Sequence, residues 1–133
     1  FEKEIKDAFD FGGFNFAKEM LSLLDNLQRA KKSMKEDEVL KKSKEFDKFL
    51  KNLDIIEKDL VSVFEKNKIL KIDCLDKKFD PNFHQAMLEV ERDDIEPGFI
   101  VQEIQSGFMF GERLLRPSFV GISKKKEEKN VKN

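Results

Sequence analysis

The sequence is poor in the residue types that build metal, cofactor and disulfide sites. Its 133 residues include no tryptophan and no tyrosine, one histidine (His84) and one cysteine (Cys74). A single cysteine excludes an intramolecular disulfide and fits a reducing compartment. One cysteine with one histidine also cannot supply the four ligands of a structural zinc site. We therefore expect no metal and no cofactor.

Long apolar runs and an excess of one charge are missing as well. No run approaches the ~18 residues of a membrane span, and no signal peptide is visible. Charged residues make up 40 % of the chain, yet the net charge is only −1. A nucleic-acid binder carries a net basic face, so we expect neither a nucleic-acid nor a membrane partner. Because the chain starts without Met inside an apparent helix, we expect a fragment of a longer protein.

Motifs of enzymes are absent too. His84 falls on the inward face of a predicted strand, and no signature supports a dyad with Cys74. The segment 107–111 lacks the lysine and the following helix of a phosphate-binding loop. The acids near residue 94 lack the spacing of a calcium loop; they are Glu91, Asp93, Asp94 and Glu96. We expect a protein that is not an enzyme.

The first half of the chain has the apolar spacing of two long helices. Steps of three and four residues indicate a period of 3.5, which is typical of coiled-coil packing. The first seam consists of Phe16, Met20, Leu23, Leu27, Ala30 and Met34, and the second of Phe46, Phe49, Leu53, Ile56, Leu60 and Val63. Between them, Asp37 is the better-placed cap for a new helix. Gly12 and Gly13 weaken or kink the first helix, which we still predict there.

Two arrangements fit these seams. The helices can form a hairpin that buries its own apolar residues, or they can form a bundle with a second copy of the chain. Further apolar residues beside the seams widen the apolar face beyond what two helices can cover, which favours a dimeric four-helix bundle. The predicted dimer interface consists of Phe16, Met20, Leu23, Leu27, Phe49, Leu53, Ile56 and Leu60.

The second half has the pattern of short strands and turns. His84, Ala86, Leu88 and Val90 alternate with polar residues and are predicted to point inward, which places Met87 on the exposed face. Pro97-Gly98 predicts a type II turn, and Gly111-Glu112 the turn of a hairpin. The fold class is therefore α+β. We assign residues 1–68 to a helical dimerisation region, 69–123 to a small, mostly antiparallel β domain and 124–133 to a disordered charged tail.

Arg113 and Arg116 stand out in this apolar region. They lie three apart in an extended segment, so their side chains should point to opposite faces. We expect one to pair internally with a carboxylate and the other to reach a partner, since arginine is common at interface hot spots. The alternative interpretation is two ordinary surface arginines.

Five segments in order resemble one family. They are FAKEMLSLLDNLQRA (16–30), PNFHQAM (81–87), VERDDIEPG (90–98), QSGF (105–108) and RLLRP (113–117). The first is close to the form LLPVLDNLERA at the end of the long helix of GrpE proteins, the nucleotide exchange factors of DnaK-type chaperones. The others resemble the signature of that family's C-terminal β domain. The resemblance extends from about Phe16 to Lys124.

This resemblance implies a homodimeric co-chaperone. Its β domain would wedge into the nucleotide-binding domain of a DnaK-type chaperone and speed ADP release, without binding the nucleotide itself. The contact surface would centre on Arg113, with Met87, Ile104 and Ile122 as apolar contacts. The implied location is the bacterial cytoplasm, with an organellar matrix as the alternative.

Three positions depart from the family pattern. Ser22 stands where Pro is common, and Asn52 and Lys68 stand where Gly is common. A different class of function also fits the sequence, namely a helical dimer that presents a β module to an unrelated partner. Only the exchange factor would accelerate ADP release.

Overall fold

The computed structural model describes residues 1–126, apart from the side chains of Phe9 and Asp10. This part of the chain divides into two compact units, Phe1–Ile69 and a second unit that begins at Leu70. Of the tail expected over 124–133, residues 127–133 lie outside the described residues. Lys124 is the last residue of a strand, so the prediction that the tail begins there is wrong.

The first unit contains three helices, α1 (Glu2–Glu36), α2 (Glu38–Lys41) and α3 (Phe46–Lys66). Helix α1 continues through Gly12 and Gly13, as predicted. The Asp37 carboxylate accepts hydrogen bonds from the Val39 and Leu40 amides and so caps α2, which confirms Asp37 as a helix start. The second long helix does not begin there, because α2 ends after four residues and α3 starts at Phe46.

A buried lysine joins α1 to α3. Lys31 donates to Glu57 Oε2 at 2.6 Å and also pairs with Asp54. The hydrogen bond to Asp54, followed by that to Glu57, holds the pKa of Lys31 above its ordinary value. The apolar residues buried in this unit are Ala17, Leu21, Leu24, Phe64 and Ile69.

Strands and turns make up the described part of the second unit. The strands are β1 (Ile69–Lys71), β2 (His84–Glu91), β3 (Ile100–Gln105), β4 (Phe108–Phe110), β5 (Arg113–Arg116) and β6 (Ser118–Lys124). They form two three-stranded sheets with the orders β1-β4-β5 and β2-β6-β3. The pairs β3–β6 and β4–β5 are antiparallel, whereas β2–β6 is parallel. The α+β class is confirmed. The β2-β6-β3 sheet is mixed because the chain between β2 and β6 is long enough for a parallel connection.

A β-bulge changes which side chains of β2 point inward. His84 pairs with Ser118 and Ala86 with Val120, but Leu88 pairs with Gly121, so Met87 is an extra residue. A Cβ at Gly121 would lie 2.9 Å from Leu88 Cδ1, on the opposite face of β6 from the buried Val120. The prediction that Leu88 points inward with His84 is therefore wrong, because one inserted residue reverses the alternation.

Buried apolar side chains form the core of the second unit. Cys74, Ile100 and Val120 are its fully buried centre, and Phe79 and Ile122 pack against them. The turns that connect the strands agree with the prediction. Gly98 after Pro97 has φ +90°, as a type II turn requires, and Gly111 has φ +58° in the hairpin turn.

Among residues 1–126, no helix is both long enough and apolar enough to cross a membrane.

Candidate functional site

The β4–β5 hairpin carries Arg113 next to its turn. Phe110 pairs with Arg113 across the two residues Gly111 and Glu112, and the positive φ of Gly111 fits a turn with glycine at its first central position. The Arg113 side chain is exposed. Within residues 1–126 it makes no hydrogen bond or ion pair. Its donors therefore face solvent.

Arg116, three residues further on, is held by the protein. Its Nε donates to the Ser106 carbonyl at 2.8 Å, and its guanidinium carbon lies 5.6 Å from the centroid of the Phe108 ring. The structure thus distinguishes the two arginines, one bound internally and one facing outward. The prediction that alternation points them to opposite faces is wrong, because Leu115 is an extra residue in β5 and the register pairs Arg113 with Phe110 and Arg116 with Phe108, which share one face of β4. The partners of Arg116 include a backbone carbonyl and an aromatic ring, which the sequence did not indicate.

Met87 and Ile104 occupy corresponding places on the two strands that flank β6. Met87 is the extra residue of the bulge in β2, and Ile104 is the extra residue between Glu103 and Gln105 in β3. In both strands the extra residue follows the one paired with Val120, which is Ala86 in β2 and Glu103 in β3, so Met87 and Ile104 lie near the same level of β6. Their side chains are 52 % and 46 % exposed. Bulges of this kind re-aim a side chain and are common beside functional sites.

Ile122 is placed differently from these two residues. It is half-buried, and it packs against the core of Cys74, Ile100 and Val120. Its partners in register are Glu89 on β2 and Ile100 on β3. The structure therefore brings Met87 and Ile104 to one level, places Ile122 against the core, and puts Arg113 on the other sheet.

Glu103 lies at the centre of a polar cluster that the sequence did not reveal. Its carboxylate accepts from Cys74 Sγ at 2.9 Å and from Ser106 Oγ at 2.9 Å, and Lys71 Nζ lies 3.1 Å away. Burial favours the neutral acid, but these three donors together outweigh it and hold the pKa of Glu103 below its ordinary value. Burial, followed by the bond to Glu103, raises the pKa of Cys74 to about 11. Cys74 and Lys71 reach Glu103 only through long-range folding, so no local pattern could have identified the cluster.

The predicted dimer-interface residues form a partly exposed apolar surface on the helical unit. The four most exposed are Phe16 (65 %), Ile56 (56 %), Leu23 (54 %) and Phe49 (51 %). The other four, Met20, Leu27, Leu53 and Leu60, are half-buried. Within one copy of the chain, the fully buried residues of α1 are instead those beside the seam, such as Leu21 and Leu24. Half of the predicted interface residues are thus left exposed within one copy.

The residues first considered for catalysis have structural partners. His84 is buried, and its Nδ1 accepts from the Asp80 amide at 2.9 Å. Among the acids near residue 94, Asp94 receives two hydrogen bonds from Arg92, which lower its pKa to about 2. Within residues 1–126, no group of three or more histidine, cysteine, aspartate or glutamate side chains could hold a metal ion.

The chain is similar in sequence to proteins of one known family. The sequence model of one family, GrpE, matches residues 1–124. The chain is 42 % identical over 126 residues to the protein GrpE of Rhizorhabdus wittichii, covering 95 % of this chain and 68 % of that protein. It is 40 % identical to that of Erythrobacter litoralis and 39 % identical to that of Afipia carboxidovorans, covering 93 % and 92 % of this chain. It spans 62 % of the length of each of these two relatives.

Proposed function

The chain belongs to the GrpE family, and on that premise we propose that it is a co-chaperone that accelerates ADP release from a DnaK-type chaperone. In this proposal the β unit binds the nucleotide-binding domain of the chaperone, and the helical unit forms a homodimer. The protein contributes neither a nucleotide site nor covalent chemistry.

The observation that carries the proposal is the contrast between Arg113 and its surroundings. Arg113 is exposed and unpaired within residues 1–126, whereas Arg92 and Arg116 of the same unit both have partners. An unpaired arginine on a short hairpin can donate to carboxylate or carbonyl oxygens of a partner. Met87 and Ile104 add exposed apolar side chains on bulged strands. Ile122 would contribute through the part of its side chain that the core leaves accessible.

Exchange activity follows from differential binding. A protein that binds the open nucleotide-binding domain more tightly than the closed one shifts that domain toward the open state. In the closed state, ADP contacts both lobes of the nucleotide-binding domain. It loses some of these contacts when the cleft opens, so it dissociates faster. A tenfold preference for the open state corresponds to about 1.4 kcal/mol, which one well-placed arginine and two apolar contacts can supply.

The test is stopped-flow release of a fluorescent ADP analogue from a DnaK-type chaperone with increasing amounts of this protein. We expect saturable acceleration. Arg113→Ala should require roughly 30-fold more protein for the same rate, which corresponds to about 2 kcal/mol at an interface hot spot. Arg92→Ala is the matched control, because it removes an arginine of the same unit that is already paired with Asp94.

No acceleration by the folded, unsubstituted protein would contradict the exchange activity. That result would favour the alternative function, in which a helical dimer presents its β unit to an unrelated partner. Acceleration that Arg113→Ala and Arg92→Ala reduce equally would instead contradict the assignment of the contact surface to the hairpin.

A further inference from the structure

The two-residue connection between β3 and β4 is anchored by hydrogen bonds from several elements. The Gly107 amide donates to Ser118 Oγ at 3.1 Å, and the Gly107 carbonyl accepts from the Ile72 amide at 2.9 Å. Ser106 Oγ donates to Glu103 Oε1. No larger residue fits in place of the glycine, since a Cβ would lie 2.6 Å from Ser118 Oγ. The connection Ser106–Gly107 is therefore a fixed point of the β unit.

Arg116 joins the hairpin to this fixed point. Its planar guanidinium donates from Nε to the Ser106 carbonyl while it lies over the Phe108 ring, which a lysine ammonium cannot do in the same way. Phe108 and Arg116 pair at the open end of the hairpin, and Phe110 and Arg113 pair at its turn. The bond to Ser106 thus holds the base of the hairpin that carries Arg113 at its tip.

The same bond relates the hairpin to Ile104, another of the candidate contact residues. Ile104 lies two residues before Ser106, in the bulge at the end of β3. Within the sheet β1-β4-β5, β4 is paired on both sides, but β5, which carries Arg113, is an edge strand paired with β4 alone. Without a fixed base, the Arg113 side chain would take many directions relative to Ile104. Selecting one of them on binding would cost conformational entropy and lower the affinity.

We propose that Arg116 is a positioning residue, which sets the orientation of the β4–β5 hairpin so that Arg113 meets the partner together with Ile104. The proposal rests on the proposed function, because the partner that Arg113 meets is the chaperone. Arg116 acts through Arg113 and does not contact the partner itself. The network Glu103–Ser106–Arg116 then connects a half-buried carboxylate on β3 to the strand β5, which carries the exposed arginine, through one turn.

The test uses the full chain with Arg116→Ala and Arg116→Lys, each alone and combined with Arg113→Ala. The first measurement is amide hydrogen exchange of residues 110–114 in the free protein, with the amides of Ile100 and Val120 as an internal check of the core. The second is calorimetric titration with the nucleotide-binding domain of a DnaK-type chaperone. Arg92→Ala again serves as the matched control.

We expect faster exchange in the hairpin and unchanged exchange in the core for Arg116→Ala. We also expect affinity to fall by roughly tenfold. Arg116→Lys, which keeps the charge but loses the planar donor, should show most of this loss. In the Arg113→Ala background the Arg116 substitutions should have no further effect on affinity, since two residues that act through one contact are not additive.

Unchanged exchange in the hairpin would overturn the proposal. Additive losses in the double variant would do so as well, because they would mean that Arg116 touches the partner directly. If the unsubstituted protein binds and Arg116→Ala binds equally well, only the positioning role fails. If the unsubstituted protein does not bind, the proposed function fails, and the positioning proposal that depends on it fails with it.

Discussion

His84 lies in the interior of the β unit, where its surroundings favour the neutral imidazole. Burial lowers its pKa, nearby Lys77 adds to this effect, and Asp80 opposes it. The Asp80 amide donates to Nδ1 at 2.9 Å, which requires that nitrogen to be unprotonated. Phe79 and Phe83 lie next to the ring, with centroid distances of 5.9 and 6.5 Å. The folded state therefore binds the proton of His84 more weakly than the unfolded state does.

This difference predicts a loss of stability in mild acid. Because the folded pKa lies below the unfolded value of about 6.5, the stability contributed by neutral His84 is complete above that pH and is lost as the pH falls below it. We expect the free energy of unfolding in urea to be lower at pH 5.5 than at pH 7.5. His84→Asn, whose amide oxygen can still accept from the Asp80 amide, should reduce this pH dependence.

His84 is the only histidine, and the pKa of Cys74 is about 11, so neither another imidazole nor the thiol complicates this pH window. An identical pH dependence in the variant and the unsubstituted protein would show that His84 titrates alike in both states. Glu103 also contributes stability that is lost as the pH falls. This loss occurs at lower pH than that of His84, because the pKa of Glu103 lies below the ordinary glutamate value.

Among the elements, the end of α3 is strained. The helix closes with the Asn67 amide bonded to the Val63 and Phe64 carbonyls, and the next residue, Lys68, has φ +64°. A left-handed residue just after a helix is most often glycine, since any Cβ raises its energy there. Lys68 in this conformation is thus a local cost that the surrounding structure tolerates.

Lys68→Gly should therefore stabilise the protein by roughly 0.5–1 kcal/mol, the relief of strain being partly offset by the greater freedom of glycine in the unfolded chain. Lys51→Gly is the matched control: it makes the same change at an exposed position inside α3 and should destabilise by about 1 kcal/mol. Thermal and urea unfolding of both variants measure the difference. The prediction fails if both substitutions lower stability.

For the whole molecule, the apolar surface of the helical unit predicts a contact with a second copy of the chain. Phe16, Leu23, Phe49 and Ile56 remain more than half exposed within one copy of the chain, although their 3.5-residue spacing is typical of packed seams. Exposed apolar surface of this kind commonly marks an interface. A second copy offers the same surface and would cover it in an isologous contact.

A charge in this surface should separate the copies. We expect Leu23→Lys to weaken dimerisation at least tenfold, because the interface would then bury an unpaired ammonium. Sedimentation equilibrium at several protein concentrations measures the effect. Val39→Lys, at a position that is 80 % exposed on α2, should leave the dimer unchanged. A monomer for the unsubstituted protein, or equal weakening by both variants, would refute the interface.

Several features of this protein follow from the amino-acid sequence alone, because they depend on residues close together in the chain. The helical periodicity, the cap at Asp37, the Pro97-Gly98 turn and the hairpin at Gly111 are of this kind. The family also follows from the sequence, through motifs along most of the chain.

Other features were decided only by the tertiary structure. Bulges at Met87 and Ile104 depend on how two strands register against β6, and one extra residue moved Leu88 to the other face of the sheet. The cluster of Cys74, Lys71 and Ser106 on Glu103 joins residues from separate elements, so no local pattern contains it. Likewise, Leu21 and Leu24 are buried whereas the neighbouring Leu23 is exposed, since packing depends on the face that meets another element rather than on apolarity alone.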